Sequence, residues 1–188
     1  MALFLVSVQQ AETAGLAPPI RTAQATYDKC LKEVKASATA KGIIDALTKA
    51  PKKIGILIIE EGFDSMYIPP HILADVENAA DFTGGVAVLN SKSIMKIGGQ
   101  PIPLGVSLMH ELGHAKQSLV NAKRFEKYFN LANQREGAKQ SKKIAALAQQ
   151  LKKPIDKAAQ LAIENENVTL HEKPICTELG CNSRDSYD

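Results

Sequence analysis

The chain has 188 residues, 45% of them hydrophobic and 23% charged, with a formal net charge of +3. Those values exclude disorder, a collagen-like repeat and a coiled-coil rod as descriptions of the whole, and the length can bury roughly two-thirds of the surface that an unfolded chain exposes. One domain over 1–188 is expected.

In chain order, Ala2 to Val8 is apolar apart from Ser7, far short of the roughly 20 residues that a membrane span needs. As a signal-peptide core it lacks a preceding Lys or Arg and a clear small-x-small pattern afterwards, so it reads as a first strand or helix. Ile20 to Ala50 places Tyr27, Cys30, Leu31 and Val34 at helical spacing and ends at Pro51, which predicts one or two helices. Lys53 to Ile59 is a β-branched run suited to a buried strand. Glu60-Glu61-Gly62 then turns into a second strand at Met66 to Ile68, predicting a hairpin. Between residues 81 and 106, Gly-Gly and Pro pairs interrupt short apolar runs, which predicts an edge strand at Val86 to Leu89 followed by loops. A long helix begins near Gly105 to Leu108 and runs past Gln117.

From Lys116 to Lys157, eleven Lys or Arg stand against three acids, so the positive charge is concentrated in one stretch. Its apolar positions, among them Phe125, Tyr128, Phe129, Ile144, Leu147 and Leu151, suit helices with lysines on a solvated face. No stacking pattern for bases, phosphate-binding Gly loop or internal repeat is visible, so no nucleic-acid partner is expected. Cys176 and Cys181 can close a small disulfide loop in an oxidising compartment or stay free thiols in a reducing one; Cys30 reads as a core residue.

The chemistry concentrates in Leu108-Met109-His110-Glu111-Leu112-Gly113-His114-Ala115, which contains H-E-x-x-H. On a helix the two imidazoles project from one face a turn apart and can bind one zinc ion, with Glu111 placed to accept a proton from a water on the metal. Gly113 suits a helix packed closely on a strand. A third ligand is needed. His71 and His171 are available, and Ala162 to Val168 offers Glu164 and Glu166 on different faces of a helix, between which spacing alone does not choose.

Thr83 to Asn90 (TGGVAVLN), Pro103 leading into LMHELGHA, Ile163-Glu164-Asn165, and Arg184-Asp185-Ser186-Tyr187 together resemble the NleD-type effector metallopeptidases and the metallopeptidase tails of some type VI secretion spike proteins. The resemblance covers about the last 105 residues, and the Cys176 and Cys181 pair is not part of it. It implies a zincin-like α+β fold, a small antiparallel or mixed sheet packed on the H-E-x-x-H helix with further C-terminal helices. Residues 1–50 would form a helical part and 51–188 the catalytic core. It also implies a secreted zinc endopeptidase of the gluzincin kind, with His110, His114 and Glu164 as ligands and Glu111 as general base. Arg184 and Tyr187 resemble the R-x-x-Y of clostridial neurotoxin light chains, which implies transition-state support. Implied partners are a protein substrate in a target cell and a secretion-system carrier or immunity protein. A reading from a different class is a non-catalytic zinc-stabilised binding module, for which His171 or a cysteine would be the fourth ligand.

Overall fold

The computed structural model describes residues 3–6, 19–62, 64–73, 81–128 and 157–185. Tyr187, and the part of the basic stretch over 129–156, lie outside the described residues. Within them the chain is α+β, a small mixed sheet with several helices.

Four strands, β1 (Leu3–Leu5), β2 (Ile54–Ile59), β3 (Met66–Ile68) and β4 (Val86–Asn90), form a sheet in the order β1-β2-β4-β3. The first three in that order are parallel, and β3 runs antiparallel against β4. The apolar run near the start of the chain therefore forms a strand.

Two expectations are corrected here. Met66 to Ile68 does not form a hairpin with β2, because β4 lies between them and pairs with both. Val86 to Leu89 is for the same reason a central strand. The physical cause is legible afterwards: every residue of β2 and of β4 is buried, and a strand buried on both faces is a continuous apolar run whose natural place is inside a parallel sheet. The flanking glycines and prolines describe the loops, not the position in the sheet.

The Ala- and Lys-rich run forms two helices, α1 (Ala23–Glu33) and α2 (Ala38–Lys49), the second capped by Ser37, whose Oγ accepts from the Ala40 N–H at 2.9 Å. After α3 (Pro70–Leu73), the stretch read as loops contains a two-stranded ribbon, β5 (Lys96–Ile97) and β6 (Gln100–Pro101). The long helix is α4 (Leu104–Val120), and α5 (Ala122–Tyr128) comes directly after it. Near the C-terminal end, α6 (Lys157–Asn167) runs through a π-helical turn at Val168–Glu172 into α7 (Lys173–Leu179).

Helix α4 is the hub. It packs on α1, α2, β3, β4, α6 and the π turn, so it is buried around most of its circumference. Residues before 50 therefore share one core with those after it, β1 through the sheet and α1 and α2 through α4. No helix among the described residues is long and apolar enough to cross a membrane.

The first turn of α4 is held from a distance. Pro103 precedes it without a side-chain cap, and the Glu33 carboxylate accepts the Gly105 N–H at 2.8 Å, satisfying one of the free donors of a helix start. Gly105 permits that approach: a Cβ there would stand 2.4 Å from the Cys30 carbonyl oxygen of α1. Gly105→Ala should therefore destabilise the fold by about 1–3 kcal/mol. Gly42→Ala, in the interior of α2 with nothing within 4 Å of the new methyl, should stabilise it by about 0.5–1 kcal/mol. Urea denaturation of the two variants beside wild type measures both signs.

Candidate metal centre

Helix α4 carries His110 and His114 one turn apart, their rings edge to face with centroids 4.8 Å apart, and both are buried. Their Nε2 atoms stand 3.1 Å from each other. Glu164 of α6 brings Oε2 to 3.1 Å from His114 Nε2 and 3.4 Å from His110 Nε2. The three side chains offer ligand atoms within 4.8 Å of one another, and this buried group could hold a metal ion. Glu166, the alternative, instead forms an ion pair with Arg124 of α5. Packing of α6 on α4 thus brings one of the two glutamates to the histidines.

Hydrogen bonds fix which ring nitrogens face the centre. Glu172, in the π turn, places Oε2 3.0 Å from His110 Nδ1 and also receives Arg184 Nε at 2.8 Å and Nη2 at 2.9 Å. Burial alone would raise the Glu172 pKa, but hydrogen bonds from His110 and Arg184 bring it below the ordinary carboxylate value, so it is ionised and can only accept. His110 Nδ1 therefore carries the hydrogen. Gln117 does the same for the other ring: its Nε2 donates to the Ile163 carbonyl at 3.4 Å, which turns its Oε1 toward His114 Nδ1 at 3.0 Å. Both Nε2 lone pairs then point at one place beside a carboxylate.

Two lone pairs and a carboxylate oxygen at such distances repel unless a cation lies among them. Donors held about 2.0–2.2 Å from a tetrahedral ion stand roughly 3.3 Å apart, and the three separations here are 3.1, 3.1 and 3.4 Å. The residues present fit such an ion. In its absence a proton takes its place. Burial lowers the His110 pKa, but bonds to Glu164 and Glu172 outweigh that and raise it to about 9. Glu164, despite burial, is held well below the usual carboxylate range by His114 and His110. Glu111 is buried beside them, and burial raises its pKa while His110 and His114 partly offset the rise. A carboxyl so placed is suited to accept a proton.

The π turn explains why Glu172 reaches the same centre as Glu164. Eight residues of α-helix cover about 2.2 turns, which would leave the two carboxylates about 80° apart. Substituting the wider turn of a π-helix, about 4.4 residues, over the second half brings the total to about 2.0 turns and aligns them.

Gly113 lets this segment close on α4. A Cβ there would stand 2.2 Å from Asn167 Oδ1 and 2.8 Å from His171 Nδ1, so its close neighbour is the π turn and not a strand as expected. Asn167 Nδ2 donates to the His110 carbonyl at 2.8 Å, and its Oδ1 accepts from His171 Nδ1 at 2.7 Å. His171 contacts Lys116 on its other nitrogen at 3.5 Å, and burial followed by Lys116 lowers its pKa to about 4. It is thus engaged outside the group of three, as is His71 in α3, and the three cysteines are free thiols outside it. The buried Phe125 packs its ring against His114 with centroids 6.2 Å apart and against Tyr67 at 5.8 Å, which gives that imidazole an aromatic neighbour.

Of the expected residues, the structure therefore gathers His110, His114, Glu164 and Glu111, and places Arg184 one step behind His110, on Glu172. Sequence reading missed Glu172, Gln117 and Asn167. Gln117 carried a signal, standing three residues after His114 on the same helix face, and so did Asn167, three residues after Glu164; Glu172 depends on the π turn. No family model matches this chain, and no curated protein or solved structure does.

Glu164→Ala should abolish stoichiometric metal binding, measured by elemental analysis after dialysis, while Glu166→Ala keeps it; the opposite pattern would reassign the ligand. The raised His110 pKa also has a signed consequence. In metal-free protein its stabilising contribution is full below the ordinary pKa of 6.5 and is lost as pH rises through about 9. The unfolding free energy of metal-free protein, measured by urea denaturation, should fall over that window by an amount on the order of 3 kcal/mol, while that of metal-loaded protein, in which the metal replaces the proton, should not.

Proposed function

We propose that this chain is a zinc metallopeptidase of zincin-like fold, a secreted effector of the NleD-type kind that hydrolyses peptide bonds of proteins in a target cell. The observation that carries the reading is the meeting of His110 Nε2, His114 Nε2 and Glu164 Oε2 at tetrahedral spacing, with Glu111 buried alongside. Two imidazoles and one carboxylate do not suit magnesium or calcium, which take oxygen donors, and they match the three-ligand sets of hydrolytic zinc. Zinc would supply Lewis acidity toward a carbonyl oxygen and toward a water.

The chain's own residues supply the rest. Glu111, its pKa raised by burial, takes a proton from the attacking water and returns it to the leaving amine. Glu172 and Gln117 hold the two rings in the tautomer that presents Nε2. Arg184 holds Glu172 ionised and in place. Tyr187 is the donor that the R-x-x-Y pattern offers to a developing oxyanion, an interaction worth about 2.7–4 kcal/mol elsewhere. The effector reading brings with it a carrier from a secretion system or an immunity protein as partner.

Burial of both imidazoles, 3% and 5% exposed, favours a second reading, a closed zinc site in a non-catalytic binding module. That reading needs a fourth protein donor, and among the described residues none joins the group of three. Glu164 is the more open member, with its side chain 20% exposed, so solvent approaches from its side.

Glu111→Gln should keep one equivalent of zinc and an unchanged fold but lose a factor of about 10²–10⁴ in cleavage of an unfolded protein substrate. Unchanged turnover in a variant that retains its zinc would sink the mechanism.

A further inference from the structure

Helix α7 ends in a cap whose geometry brings two thiols together. Gly180 takes φ 68°, its N–H bonds to the Thr177 carbonyl at 3.4 Å, and the Cys181 N–H bonds back to the Cys176 carbonyl at 2.9 Å. This is the Schellman pattern, in which the residue after the left-handed glycine folds over the residue three positions inside the helix end. Here those residues are Cys176 and Cys181, the second packed against the buried cluster to which the first belongs. Cys176 is buried and Cys181 is half-buried at the surface.

The tail beyond the cap connects it to the metal centre. Asn182 Nδ2 donates to the Ile97 carbonyl at 3.3 Å, tying the tail to the β5–β6 ribbon. Arg184, three residues past Cys181, makes the two-pronged contact with Glu172 that orients His110. Cys176 in turn lies one helical turn past Glu172. The cap thus anchors both ends of the Arg184–Glu172 pair.

We propose that Cys176 and Cys181 form a reversible disulfide that locks the Arg184 tail onto Glu172 and so tightens the hold of the centre on its metal. The oxidant is a small-molecule disulfide. Cys181 sulfur, the accessible one, attacks it, forms a mixed disulfide and releases one small thiol; Cys176 sulfur then displaces the second small thiol and closes the protein disulfide. Two protein S–H bonds and one oxidant S–S bond are replaced by one protein S–S bond and two small thiols, which carry the two protons. The thiol chemistry is independent of the function proposed above, and only its consequence rests on the metal-centre reading.

The test uses the full chain loaded with zinc and equilibrated with oxidised glutathione or with dithiothreitol. Oxidised protein should keep one reactive thiol of its three under denaturing conditions, that of Cys30, and digestion should yield a linked 176–181 peptide. Hydrogen exchange at the amides of 181–185 should slow, and zinc transfer to a chelator should slow by a factor of about three to ten. Cys181→Ser should remove both responses, and Arg184→Ala should keep the linked peptide but remove the response of zinc transfer. Glutathione adducts without the internal link would overturn the disulfide. A link that leaves both exchange and zinc transfer unchanged would overturn the lock. Chain that binds no zinc but shows the link and the slowed exchange would leave the lock standing and remove the metal-centre reading instead.

Discussion

Two imidazole nitrogens and a carboxylate oxygen pointed at one buried place form an arrangement that is stable only around positive charge. The rest of the site is organised to make that demand. Glu172 and Gln117 occupy the outer nitrogens, so neither ring can relieve the crowding by switching tautomer. Without metal the demand appears as the raised pKa of His110, and with metal it becomes affinity. A proton and a metal ion would compete for one position.

The fold provides the rigidity that this requires. A helix that must hold two ligands in register gains from contacts on every side, and α4 is enclosed by α1, α2, the sheet, α6 and the π turn. Two glycines open the closest of these approaches, Gly105 to the backbone of α1 and Gly113 to Asn167 and His171. The three side chains that could hold a metal therefore sit on regular helices, where side-chain position is tightly determined, and not on loops. Charge alternates outward from the centre, from His110 to Glu172 to Arg184, so each buried ionised group meets an opposite one. Arg184 contributes by neutralising and fixing Glu172. Loss of that guanidinium would leave a buried carboxylate competing for the hydrogen of His110 with nothing to anchor it.

Much of this was legible in the chain. The H-E-x-x-H pattern puts two imidazoles on one face because an α-helix aligns positions four apart whatever surrounds it. The buried run of β2, the two helices before it and the start of α4 after Pro103 arise from equally local causes, namely continuous apolar residues, a serine cap and a proline. What local pattern could not supply was pairing and alignment. The hairpin expected between β2 and β3 is replaced by insertion of β4, since strand partners are chosen by how two fully apolar faces are best covered. Glu164 and Glu166 are equivalent by composition, and the packing of α6 on α4 turns Glu164 to the histidines while Glu166 pairs with Arg124. Glu172 enters the site through a π turn that shifts the helical phase, and Arg184 through a tail that folds back from the α7 cap. Spacing along the sequence therefore determined the chemistry that the helix offers. Only the packing of distant segments decided which carboxylate completes it, because that choice depends on helix phase and on charges brought together across the fold.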